Sequence, residues 1–181
     1  MMSASLLLWL TLATGVFWMV GVYNRLMRMR ARGLDAFGSV EKQLWYFVEL
    51  VNNHLGASEV IGVEKDYLPS EWLQLLKTLD KLEQALKEAK RMPLSVQPIA
   101  NLAEVLLGLQ RDWLQLKNVP TDLAGPVVPH SMELQWNLIA ERVAIARSGF
   151  NQILIKYNQA IAQFPARVVV RYLGFKAAGL L

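Results

Sequence analysis

Residues 131–164 read SMELQWNLIAERVAIARSGFNQILIKYNQAIAQF, and this stretch decides the fold. Its apolar positions Ile139, Val143, Ala146, Phe150, Ile153, Tyr157, Ala160 and Phe164 are separated by alternating steps of four and three. That is the period of one helix face turned toward other helices, and it is also the spacing of a coiled coil. Gln135, Arg142, Gly149, Lys156 and Gln163 mark the opposite face. Only Gly149 among them is not polar, and inside a helix it costs roughly 1 kcal/mol relative to Ala. Pro129 and Pro165 bracket the run and no proline interrupts it. At about 1.5 Å per residue the helix is a rod of roughly 50 Å. A rod of that length cannot bury its own stripe, so the rest of the chain must supply a groove of similar length.

Working outward, residues 70–91 and 98–116 supply two shorter helices. Ser70 is placed as an N-cap with Glu71 in the first turn, and Leu75, Leu79, Leu82, Leu86 and Ala89 form the first stripe. Pro93 and Pro98 mark the break. Ile99, Leu102, Leu106, Leu109, Trp113 and Leu116 form the second stripe. Residues 56–69 and 118–130, rich in Gly and Pro, read as loops. Before them, Leu34, Phe37, Val40, Leu44, Val48, Val51 and Leu55 recur at threes and fours, with Asn52, Asn53 and Gly56 as a stop signal. Gly33 and Gly38 are points where that helix can bend.

Upstream, Ala4 to Val22 reads ASLLLWLTLATGVFWMVGV, without a charge. Such a stretch spans about 30 Å of hydrocarbon as a helix. A cleavable signal peptide would need a basic leader and an A-x-A-like site, and neither is present. Arg25, Arg28, Arg30 and Arg32 follow the span, and no basic residue precedes it. The positive-inside rule then predicts a single-pass protein with the N-terminus outside and the C-terminal domain cytoplasmic. The predicted fold is all-α: an N-terminal transmembrane helix (residues 1–22), then an elongated antiparallel four-helix bundle (residues 23–165). Residues 166–181 form an apolar and basic C-terminal segment. In an up-down-up-down order the fourth helix returns toward the membrane. The segment ARVVVRYLGFKAAGLL, with Arg167, Arg171 and Lys176, then either lies on the bilayer surface or packs back on the bundle.

Composition narrows the functions. The 181 residues hold no cysteine, which excludes disulfides, thiolate metal sites and cysteine nucleophiles. The apolar fraction of 54% is high for a soluble domain, and much of it sits at the N-terminus. The net charge of +4 hides an asymmetry: seven basic residues cluster at the two ends, leaving 12 Lys and Arg against 15 Asp and Glu elsewhere. Nucleic-acid binding wants basic residues along one face with base readers between them, so no nucleic-acid partner is expected. His54 and His130 lie far apart, and neither follows a Glu by three as di-metal bundles require. No nucleophile elbow, phosphate loop or dinucleotide fingerprint occurs. No enzyme activity, cofactor or metal is expected.

Glu133-Leu134, Glu141-Arg142, Arg147, Phe150-Asn151, Tyr157-Asn158 and Phe164-Pro165 follow one another in an order that resembles the LemA family pattern. At the N-terminus, an apolar span running into Tyr23-Asn24 and then Val40-Glu41-Lys42-Gln43-Leu44 is similar to the same family. Residues 100–120 resemble it more weakly. Phe150 stands where the family's first Tyr-Asn pair has tyrosine, and 45–53 and 116–120 depart from its pattern. The chain thus looks like a divergent member. The resemblance implies a bacterial inner (cell) membrane location, an elongated helical bundle and no assigned catalytic activity.

The remaining candidate site is a polar stripe. Arg147, Asn151 and Asn158 share one helical line with Leu154. Such residues either bond to facing carboxylates or to backbone at the end of another helix and fix register, or line a polar groove for a peptide or lipid head group. Two function classes follow. One is a membrane-anchored scaffold or adaptor with an unidentified membrane or cytoplasmic protein partner, as monomer or oligomer. The other is a membrane- or lipid-organising protein acting through its anchor and basic ends.

Overall fold

The computed structural model describes residues 2–60, 69–119, 127–164 and 166–181. Five helices account for nearly all of them: α1 Met2–Val60, α2 Ser70–Arg91, α3 Val96–Lys117, α4 His130–Ala162 and α5 Ala166–Leu173. No strand occurs among the described residues. The expected loops lie mainly at 61–68 and 120–126, outside the described residues.

Helix α1 is one unbroken element, about 90 Å long at the usual rise. It passes through Asn52, Asn53 and Gly56, where the sequence suggested a stop, and continues to Val60. The reason is packing: Val51 is buried and Leu55 half-buried, so the stripe outlasts the local stop residues. Gly33 has a packing role: a Cβ there would meet Leu154 Cδ2 at 2.9 Å and Leu94 Cδ2 at 3.2 Å. Gly38 faces open space.

From Leu26 onward α1 joins a continuous hydrophobic core with α2, α3 and α4. Phe37, Val40, Leu44, Phe47, Val48 and Val51 are its buried positions. Leu34, counted in the stripe, is 42% exposed. Phe37 meets Phe150 and Phe47 meets Trp136, so residue numbers rise along α1 as they fall along α4. The same opposition holds for α1 against α2, through Glu41 and Lys90 and through His54 and Trp72, and α2 and α3, joined by the short turn at 92–95, meet again at Thr78 and Asp112. Neighbouring helices are therefore antiparallel. All eleven predicted stripe residues of α2 and α3 are buried. Each large one contributes about 1.5–3 kcal/mol relative to exposure.

Helix starts differ in detail from the sequence reading. Pro69 caps α2, its carbonyl accepting from the Trp72 and Leu73 amides, while Ser70 opens the helix and donates to Glu71 instead. Pro69 is extended (φ −52°, ψ 150°), which places it outside the helix. Pro98 sits in the first turn of α3, where its missing N–H costs nothing. In α4 the buried face is Met132, Trp136, Val143, Phe150, Leu154, Tyr157, Ala160 and Ile161. Ile139, Ala146 and Ile153 are half-buried, and Phe164, beyond the helix end, is 84% exposed.

Residues 166–181 divide into two parts. Helix α5 ends at Gly174, whose φ of +70° is the left-handed geometry that favours glycine after a helix. Residues 175–181 then run extended and return to the helices, with Ala178 and Leu181 buried.

Candidate functional site

Helix α4 packs closely against α1, and α3 packs closely against α2. The edge between α3 and α4 is different. It is closed at one end by Trp113 and Trp136, stacked at 3.9 Å and 6°. Just beyond, Lys117 donates to Glu133. This bond holds the Glu133 carboxyl below its ordinary 4.5, a shift that the Lys117 charge reinforces and burial partly opposes. At the other end of the edge, residues 175–181 lie between α4 and the start of α3.

The contacts of that extended tail come from the polar stripe. Asn158 Nδ2 donates to the Ala178 carbonyl at 2.9 Å, and its Oδ1 accepts from the Ala178 amide at 2.8 Å. Asn151 repeats the arrangement on Leu181, donating at 2.6 Å and accepting at 2.9 Å. Arg147 Nε donates to the same Leu181 main-chain oxygen at 2.5 Å. Each carboxamide thus reads both main-chain groups of one residue. The register has a geometric basis. Asn151 and Asn158 are seven apart, two helical turns or about 10.5 Å. Ala178 and Leu181 are three apart, about 10 Å of extended chain.

Further contacts fix the tail from both sides. The Tyr157 hydroxyl donates to the Lys176 carbonyl at 3.1 Å, and the Gly179 amide donates to the Leu94 carbonyl at 3.1 Å. Desolvation raises the Tyr157 pKa, with the Arg30 charge pulling the other way, so the hydroxyl stays a donor. A Cβ at Gly179 would lie 2.8 Å from Val96 Cα and 3.0 Å from the Ser95 carbonyl oxygen. Only glycine fits between the tail and α3.

Between the tail and the tryptophan stack the groove holds a cavity of about 480 Å³. Phe47, Leu109, Trp136 and Val143 line its apolar part, and Arg147 and Asn151 line it where Leu181 is held. The cavity is therefore continuous with the tail site.

The basic residues named from the sequence separate into groups. Arg30 and Lys176 meet Arg91 around a second cavity of about 650 Å³, beside Tyr157 and Gly174. Arg25 lines a smaller cavity of about 160 Å³ with Trp18, Leu26 and Phe164, where α1 meets the turn after α4. Arg28 Nε reaches back to the Asn24 carbonyl at 3.4 Å. Arg32, Arg167 and Arg171 are exposed. His54 stacks on Trp72 and His130 lies 4.0 Å from Glu133, so the two histidines stay apart, and no cluster able to hold a metal occurs among the described residues.

Sequence reasoning placed Arg147, Asn151 and Asn158 on one line and offered facing carboxylates, helix-end backbone or a bound head group as partners; their partner is instead the main chain of residues 178 and 181, in the segment that packs back on the helices. The signal was available in Asn spaced by seven together with an apolar, Gly-containing C-terminal segment. The Tyr157 ring stood in the periodic apolar stripe, but its hydroxyl contact, Gly179 and Leu94 carried no periodic signal.

At the N-terminal end, α1 is long and apolar enough to cross a membrane. Every side chain from Ser5 to Gly21 is exposed, and Phe17 is 83% exposed. Thr11 and Thr14 donate to the carbonyls of Leu7 and Leu10 at 2.8 Å, so both hydroxyls are satisfied within the helix. The chain matches no family model, no curated protein and no solved structure.

Proposed function

We propose that the chain is a membrane-anchored, non-enzymatic helical scaffold or adaptor of the LemA type. Residues 1–22 anchor it in a bacterial inner membrane with the N-terminus outside. Helices α1 to α4 form an elongated antiparallel four-helix bundle that presents itself to protein partners in the cytoplasm. The observation that carries this reading is the division of α1. Its first third is apolar and exposed all round, an arrangement stable in lipid and costly in water. From Leu26 to Val51 one stripe of it belongs to the hydrophobic core. The internally bonded Thr11 and Thr14 suit a helix without water around it. Cross-linking in intact membranes followed by purification tests the reading. A defined protein partner supports it, and enrichment of lipid alone overturns it. A reporter active only in the cytoplasm, fused after Leu181, is expected to work, and its failure sinks the orientation.

The membrane- or lipid-organising alternative draws on α5. Phe164, Val168, Tyr172 and Leu173 are exposed beside Arg167 and Arg171, close to where α1 enters its apolar part. Apolar and basic residues mixed in this way suit an anionic bilayer surface. Because the chain has no cysteine, Tyr172→Cys gives a single labelling site. A nitroxide there, in full-length protein reconstituted in anionic nanodiscs, is expected to be shielded from water-soluble relaxants. Full water accessibility removes the support for this alternative.

A further inference from the structure

We propose that Arg30, Arg91 and Lys176 form a binding site for a phosphate ester. The site goes beyond the scaffold reading. It stands on cations that three separate elements bring to one cavity, whatever the bundle presents to protein partners.

Arg30 comes from α1, Arg91 from the last turn of α2 and Lys176 from the extended tail, and all three line the cavity of about 650 Å³. No Asp or Glu is among the described residues that line it, and the first turn of α3, which forms one wall, holds none. The described ion pairs of the chain engage Lys87, Lys90, Lys117 and His130, so none of the three cations is neutralised by one. Like charges gathered in this way repel one another, and a concave wall of one sign concentrates anions. The negative end of α2 accounts for Arg91. It does not account for Arg30 or Lys176, which lie on other elements.

The chemistry of the walls selects a phosphate ester among anions. Two of the three cations are guanidinium groups, whose paired N–H donors match phosphate oxygens, and the ammonium adds a point charge. Leu34 and Met92, both exposed, line the same cavity and suit the organic part of an ester, which a bare anion lacks. The third cation is also positioned in advance. The Tyr157 hydroxyl donates to the Lys176 carbonyl, Asn158 holds Ala178, and the Phe175 ring meets Tyr23 at 6.0 Å. The backbone that carries Lys176 therefore loses little freedom on binding.

The phosphate ester has two possible sources. Tyr23 directly follows the apolar stretch of α1, and Arg30 lies about 12 Å beyond Val22 along the helix. With α1 as the anchor, that level borders the headgroup layer, so a lipid headgroup and a soluble ester both reach the site.

The test uses the full chain in dodecyl maltoside micelles. Because the chain has no cysteine, Met92→Cys places a single environment-sensitive fluorophore at the cavity. Glycerol 3-phosphate and the short-chain lipid dihexanoyl phosphatidylglycerol are titrated at constant ionic strength. A saturable change with at least one probe is expected. Arg30→Gln, Arg91→Gln and Lys176→Gln are each expected to weaken it at least about tenfold. All three residues are exposed, so their replacement leaves the core intact, and circular dichroism checks helix content. Arg111→Gln removes the same charge from an exposed position outside the cavity and is expected to change binding less than about twofold. Tighter binding of the lipid assigns the site to a membrane headgroup, and equal or tighter binding of glycerol 3-phosphate assigns it to a soluble ester. The proposal fails if neither probe gives a saturable change while helix content is kept. It fails equally if Arg111→Gln weakens binding as much as the three site variants, or if sodium chloride alone reproduces the change.

Discussion

Helix α4 has two long edges, and they are built on different principles. Against α1 it packs ring on ring, with Phe37 5.9 Å from Phe150 and Phe47 4.4 Å from Trp136. Against α3 it is joined by the Trp113–Trp136 stack and the Lys117–Glu133 bond, and the edge also holds a cavity and a strap of extended chain. The first edge is closed by non-directional burial, which needs only apolar residues at the right period. The second is closed by hydrogen bonds between carboxamides and main chain, which need a defined register, together with the burial of Ala178 and Leu181. One edge therefore rests on burial alone, and the other adds directional bonds to the burial of Ala178 and Leu181.

The sharpest way to break the comparison is to cut into the first edge. Phe150 is fully buried against Phe37, and replacing it with Ala deletes a ring from a core that cannot fully collapse. Phe150→Ala is expected to cost about 3–5 kcal/mol and to lower the melting midpoint by well over 5 °C. A loss below about 1 kcal/mol in denaturant titration would mean that the α1–α4 edge is not the structural one.

The second edge is expected to respond differently. Asn151→Ala and Asn158→Ala each remove two hydrogen bonds to one tail residue. Each is expected to cost about 1–2 kcal/mol, because the tail can leave the groove and pair with water. The distinguishing readout is local. Trypsin cleavage after Lys176 should accelerate at least tenfold while helix content stays constant. Cleavage at the wild-type rate would show that the tail is held by burial of Ala178 and Leu181 alone. Asn158→Asp keeps the acceptor for the Ala178 amide but turns a carboxylate oxygen onto the Ala178 carbonyl, so it should speed cleavage at least as much as Ala.

The same contrast explains what the sequence made legible. The buried stripes of α2 and α3 were recoverable residue by residue, because burial against a neighbouring helix imposes a period of 3.6. The apolar N-terminal stretch was legible because a run without charge needs no partner to be recognised. The α3–α4 edge was not. Its polar residues share a line with Leu154, but spacing cannot say that their partner is the main chain of residues 175–181. Gly179 carries no periodic signal, since its requirement is set by Val96 and Ser95, more than 80 positions away. The helix boundaries shifted for a related reason: tertiary burial of Val51 carried α1 past residues that would end an isolated helix.

Tyr157 tests a smaller part of the second edge. Its ring is buried in the core, and its hydroxyl donates to the Lys176 carbonyl. Tyr157→Phe keeps the ring and is expected to cost about 1 kcal/mol, with a rise in cleavage after Lys176 that is smaller than for either asparagine. A loss as large as for Phe150→Ala would place Tyr157 on the wrong side of the comparison.

The smallest effect is expected at the end of the α3–α4 edge beyond the tryptophan stack, at Lys117 and Glu133. The bond holds the Glu133 carboxyl below 4.5, so folding favours the ionised form. A depressed carboxyl contributes stability above its unfolded value and loses it as pH falls through the folded one. Unfolding midpoints measured from about pH 6 to about pH 3 should therefore decline, and part of the decline should vanish in Glu133→Gln. The pair is exposed, so salt should screen the contribution, and the difference between the two proteins should shrink as ionic strength rises. A difference that survives high salt would mean that the ion pair is shielded from solvent. The far end of the α3–α4 edge would then be as tightly closed as the edge against α1.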